Sequence, residues 1–207
     1  MGRPLQPERK ADVLVAAVDY VLAHGLADLS LRPLAAAIGT SPRMLLYHFG
    51  TKEGLIAEVL SAAGDRQRAM LGTWVTPDAP PAELLARYWA WLSSAEADPY
   101  ARLFFEVYGL ALQGGAFAGF HERLATDWFW FIEGRLRQAG LAADEARLEA
   151  TLVVATTRGL MLDLLAGRQT GEDRRRVDAT MERLIERLAE RTARRPHPVM
   201  SGEGAIG

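Results

Sequence analysis

Thr40-Ser41-Pro42-Arg43-Met44 and Tyr47-His48-Phe49-Gly50-Thr51-Lys52 are where this sequence gathers side chains suited to reading a nucleic acid. Arg43 brings a planar guanidinium that can pair bidentately with guanine O6 and N7, worth roughly 1–3 kcal/mol of discrimination. Thr40, Ser41 and Met44 stand beside it and offer short polar or thymine-methyl contacts. Tyr47 and His48 close the same short segment. Lys52 falls in the first turn of the next helix, where the dipole disfavours a cation, so a phosphate is its natural partner. Arg3, Arg9 and Lys10 can clamp a duplex backbone or reach a minor groove from an N-terminal arm.

Catalytic chemistry has little to work with. His24, His48, His121 and His197 fall on different predicted elements, none at metal-ligand spacing from another. There is no cysteine, no phosphate-cradling glycine loop and no nucleophile elbow. His121-Glu122 near Asp127 reads more simply as a solvated helix start. No cofactor or metal is implied. A helical enzyme stays as an alternative, which a buried His121 facing a carboxylate in a polar cleft would favour.

The elements that must position these groups are helical throughout. Val13, Ala16, Ala17, Tyr20 and Val21 recur at spacings of three and four, predicting a helix over 9–24 that Gly25 ends. Ser30 caps a second helix with Leu34, Ala35 and Ile38 on its buried face, and Gly39 closes it in the left-handed conformation. Ser41 caps a third, about 42–48, with Pro42 at its first position. A helix that short is unstable alone, so Leu45 and Phe49 must anchor it. Thr51 caps a fourth helix running to about Leu71. Prolines and glycines then divide the rest into helices near 81–94, 99–112, 117–139, 143–166 and 172–192. The polar, glycine-rich residues 194–207 read as a disordered tail. The fold class is all-α with about nine helices, and its domains are expected at 1–55, 56–193 and the tail.

Charge supports this reading only by placement. The 207 residues carry a net charge of -2, and residues 1–68 hold eight Lys/Arg against seven Asp/Glu. With so few cations per copy, useful affinity for a duplex calls for two copies on one site. Asp12, Asp19 and His24 interrupt the first apolar stretch, so neither a signal peptide nor a membrane span is expected. A cytoplasmic protein fits the composition.

The segment from Val13 to Leu60 resembles the N-terminal domain of TetR-family transcriptional regulators. The resemblance is carried by Gly25, Ser30, Leu34-Ala35, Ile38-Gly39, Ser41 and the run Tyr47-His48-Phe49-Gly50-Thr51-Lys52-Glu53-Gly54-Leu55. It implies a three-helix DNA-binding head, a helical effector-binding and dimerisation body, and DNA contacts from Thr40, Ser41, Arg43, Met44, Tyr47, His48 and Lys52. One departure stands out. The tyrosine that many members carry two residues before the His/Tyr-Phe pair is here Leu46, and tyrosine comes one place later, about 100° around the helix. The resemblance further implies a homodimer on a palindromic operator and a repressor released by a small apolar or aromatic effector. A DNA-binding regulator without an effector is the alternative.

Within the body, Trp128-Phe129-Trp130-Phe131 points four aromatics in four directions. Trp89, Phe104, Phe105, Tyr108, Phe120, Trp128 and Phe131 are candidates for a ligand cavity, though aromatics at helical spacing serve equally as core. Thr156 and Arg158 are polar candidates inside an apolar run, with Thr157 between them. A buried Arg158 needs an anionic effector, an internal carboxylate or a subunit interface, and an outward-facing one needs none. Two stripes suit a dimer interface: Leu148, Leu152, Ala155, Gly159 and Leu162 on one helix, and Met181, Leu184, Ile185 and Leu188 on the next.

Overall fold

The computed structural model describes residues 7–73, 76, 78–114, 118–166 and 171–193; for 7–8 and 118–127 the backbone alone is described. Arg3, the side chains of Phe120, His121, Glu122 and Asp127, and the tail from 194 lie outside the described residues. The helices, in order, are α1 (Pro7–His24), α2 (Leu31–Ala37), α3 (Pro42–Phe49), α4 (Lys52–Gly72), α5 (Pro81–Leu92), α6 (Asp98–Leu112), α7 (Ala118–Gln138), α8 (Ala143–Ala166) and α9 (Gly171–Ala193). The all-α expectation and the helix count hold for the described residues. Among them, no helix is long and apolar enough to cross a membrane.

The described residues divide into two compact units, one within 7–76 and 90–125 and the other within 78–89 and 126–193. The domain boundary expected at 55/56 therefore falls inside α4, and α6 packs in the same unit as α1–α4.

In the first unit the apolar positions of α1–α4 meet. Ala17, Val18 and Val21 of α1 cluster with Leu34 and Ala35, Leu45 and Phe49, and Leu55, Ile56, Val59 and Leu60. Leu103 and Val107 of α6 join the same cluster. The short α2 and α3 form because this core holds them, with capping adding its share. Ser41 Oγ accepts from the Met44 N–H at 3.2 Å, and Thr51 Oγ1 accepts from the Gly54 N–H at 2.9 Å. Between α2 and α3, Gly39 takes φ +68, the left-handed turn the sequence predicts.

In the second unit, α8 and α9 pack along Ala146, Ala150, Val153, Leu160 and Met161 of one helix and Val177, Met181, Leu184 and Leu188 of the other. The side chain of Glu149, 5% exposed, accepts from Arg187 at 2.9 Å and meets Arg191 at 3.4 Å. Such a buried carboxylate demands its cations: removing them costs far more than the pair itself contributes. Trp89 is buried here as well, its indole N–H donating to Asp178 at 3.3 Å.

Candidate functional site

α3 is seated on the core by one face and shows the other to solvent. Leu45, His48 and Phe49 are buried, while Arg43, Leu46 and Tyr47 are exposed. The spacing 43, 46, 47 places these three on one helical face. Leu46 and Tyr47 remain 42% and 53% exposed. Thr40 and Met44 are half-buried beside this face, and Ser41, exposed, already accepts the capping bond. Lys52 is half-buried at the start of α4.

Two expectations change. His48 is 9% exposed and lies edge-on to both Tyr47 and Phe49, so its ring sits on the inner side of α3, away from the exposed face. The three-residue spacing from Leu45, which the sequence marks as an anchor, already places it there. Lys10 is half-buried, its Nζ 2.8 Å from Glu58 and 5.1 Å from the Phe49 ring centre. Its ammonium is therefore engaged within the head, whereas Arg9 is exposed. Leu46, which the sequence did not single out as a contact residue, is exposed on the same face as Arg43 and Tyr47. Only the departure at Leu46-Tyr47 signalled that the exposed face carries an apolar side chain.

The match with known proteins falls on these same helices. Residues 13–59 match the family model for bacterial regulatory proteins of the tetR family. Over these residues the chain is similar to the DNA-binding head of tetR-family proteins. The family so matched is one of regulatory proteins, and the match covers the head alone. The fold extends the likeness beyond the head. A Rhodococcus sp. protein assigned to the same family superposes with a TM-score of 0.70 at 21% identity, covering 87% of this chain and 98% of that one. A protein from Saccharomonospora viridis assigned as a transcriptional regulator, solved with choline, gives 0.66 at 20% identity over 89% and 95%. BioQ, solved with its natural double-stranded DNA operator, gives 0.54 at 23% identity over 87% and 98%. No curated protein matches the sequence significantly.

The second unit holds a part-open pocket of about 400 Å³ of empty space, solvent-side space included. Pro81, Leu84, Leu85 and Tyr88 of α5 line it, with Trp128, Phe131, Ile132 and Arg135 of α7, Val153 of α8 and Leu188 of α9. Tyr88 stacks on Trp128 at 4.6 Å between ring centres, and Phe131 meets Trp128 edge-on at 5.8 Å. Burial pushes the Tyr88 hydroxyl well above its usual range, and the charge of Arg158 offsets part of that rise. At the pocket's edge, the Arg135 guanidinium donates to the Ala79 carbonyl.

Of the expected ligand residues whose side chains are described, Trp128 and Phe131 line this pocket. Trp89 is core, held by Asp178. Phe104, Phe105 and Tyr108 form a half-buried aromatic group on α6 in the first unit. Thr156 and Arg158 are half-buried on α8 outside the lining, although Arg158 acts electrostatically on Tyr88. The aromatic run divides as its geometry requires. Trp128 and Phe131, three apart, share the pocket, while Trp130 is 53% exposed beneath Arg147.

The dimer stripes also divide. On α8, Leu148, Ala155, Gly159 and Leu162 are exposed and Leu152 is half-buried. On α9, however, Met181, Leu184 and Leu188 are 0%, 7% and 1% exposed, packed inside their own protomer, and Ile185 is half-buried. The most apolar stripe of α9 is the internal seam with α8, which is why its periodicity stood out.

Proposed function

We propose that this chain is a homodimeric repressor that reads a palindromic operator and is released by a small apolar or aromatic effector. The observation that carries the reading is the exposed Arg43–Leu46–Tyr47 face on a helix whose opposite side is locked into the head. Arg43 supplies guanine pairing, Leu46 contacts a thymine methyl, and Lys52 holds the backbone. The unpartnered α8 stripe, with Leu148 71% and Leu162 49% exposed, supports pairing of two copies. Pairing is what brings two heads to half-sites about 34–36 Å apart. The domain division at 55/56 is kept as a functional one, between reading and response.

The pocket supports the effector. Nearly all its lining is carbon, with aromatic walls from Tyr88, Trp128 and Phe131. Aromatic faces attract quaternary ammonium ions such as the choline held by the Saccharomonospora viridis protein. Here Arg135 at the edge opposes a cation, so an uncharged or anionic aromatic is the better fit. Binding shifts the population toward a form whose heads no longer match the operator.

Selection of bound duplexes from a random DNA pool, repeated with a panel of uncharged, anionic and cationic aromatics, tests this reading. Enrichment of a palindrome, lost on adding an uncharged or anionic aromatic, is the expected result. Leu84→Trp, which fills the pocket, should keep DNA binding and lose the response. A palindrome that no compound affects leaves a regulator without an effector, and enrichment of no sequence rejects the reading as a whole.

A further inference from the structure

The turn after α1 is held by a carboxylate far away in the sequence. Glu106 Oε2, on α6, accepts a hydrogen bond from the Leu26 backbone N–H at 2.7 Å. Gly25 lies under the same carboxylate with φ +76, and a Cβ there would come within 2.6 Å of Glu106 Oε1 and 3.0 Å of Oε2. Glycine at 25 thus meets two demands at once: a left-handed backbone and room for the carboxylate. Leu103 and Val107, on the same side of α6, are buried in the apolar cluster that contains Val21 and Leu26.

These contacts differ in what they fix. Apolar packing favours burial without direction, so it alone tolerates sliding of one helix on another. A carboxylate bonded to one backbone N–H is charge-assisted and directional, and it sets a register. α3, meanwhile, is seated by Leu45 and Phe49 within the head, so reading of a single half-site does not depend on Glu106.

We propose that Glu106 is a positioning residue for DNA recognition, latching the Gly25–Leu26 turn to α6 and so fixing where each protomer presents its head. The inference rests on the dimeric reading above, because presentation matters only when two heads must meet two half-sites together. A loosened latch lowers the effective concentration of the second head and leaves the first contact intact.

The test uses the full-length protein and two duplexes, one with both half-sites of the selected operator and one with a half-site scrambled. Glu106→Ala, and Glu106→Met as a length-matched second break, should weaken two-site binding roughly tenfold or more while single-site binding stays within about twofold. Exchange of the Leu26 amide should quicken in both. Glu106→Gln keeps a carbonyl acceptor and should restore both the two-site affinity and the amide protection. Light scattering on the same samples separates the two ideas. A wild-type monomer overturns the dimeric reading and the latch with it. A dimeric Glu106→Ala or Glu106→Met that keeps its two-site preference, or loses equally on both duplexes, overturns the latch alone.

Discussion

Lys10 on α1 and Glu58 on α4 meet as an ion pair at 2.8 Å, directly beside the Phe49 ring that anchors α3. The contact ties the first helix to the fourth and leaves Lys52 as the lysine available to a duplex. Both partners are about a third exposed or more, so the pair is worth little by itself. Lys10→Ala should lower stability by about 0.5–1 kcal/mol in urea melts, from the pair and the cation–π contact together. Its DNA affinity should keep the wild-type salt slope. Lys52→Ala should flatten that slope by about 0.9, as loss of one phosphate contact requires. A slope change in Lys10→Ala matching that of Lys52→Ala would show that Lys10 leaves Glu58 for a phosphate.

The exposed face of α3 separates base reading from grip. Arg43→Ala should cost roughly 1–3 kcal/mol at one base pair and relax preference there, with little loss on random DNA. Leu46→Ala should remove discrimination between thymine and uracil at one position of the selected site, since the 5-methyl is all that distinguishes them to an apolar side chain. Affinities measured on uracil-substituted duplexes decide the matter. Equal losses on specific and random DNA for both variants would mean that this face only grips.

Much of this is legible in the sequence alone. The caps at Ser41 and Thr51, the turn at Gly39 and the anchors Leu45 and Phe49 are local signals, and the fold uses each as its chemistry suggests. What stayed hidden was tertiary. Nothing within a few residues of Lys10 announces Glu58, and nothing near Glu106 announces the Leu26 amide. Periodicity likewise finds apolar stripes but not their partners. It marked Leu188 as readily as Leu148, yet one lines a pocket inside the protomer and the other stands in solvent. The pocket drew on Tyr88, Leu84 and Arg135, whose residue types alone carry no signal of a cavity.

That contrast yields a prediction about assembly. Leu148→Glu and Leu162→Glu place charges on side chains that are 71% and 49% exposed, so the protomer should keep its helicity and melting behaviour. If the α8 stripe is the interface, burying those charges between two copies is costly, and light scattering at micromolar concentration should show monomers. Leu188→Glu, at a position 1% exposed, should instead unfold the second unit, with a loss of several kcal/mol. Dimers that persist in both α8 variants would move the interface elsewhere.

Tyr88 makes the pocket sensitive to alkali. Burial against Trp128 holds its hydroxyl above the usual range, and Arg158 offsets that only in part. In the unfolded chain the same hydroxyl ionises near about pH 10. Above that pH the unfolded state releases a proton that the folded state retains, so stability falls as pH rises; below it, Tyr88 contributes no pH dependence. Urea midpoints measured from about pH 8 to about pH 11 should therefore decline more steeply for the wild type than for Tyr88→Phe, which has no proton to lose. The other tyrosines and the lysines titrate in both proteins and cancel in the difference. Parallel curves would mean that Tyr88 ionises in the folded pocket as easily as in water, and that the pocket is wetter than its apolar lining implies.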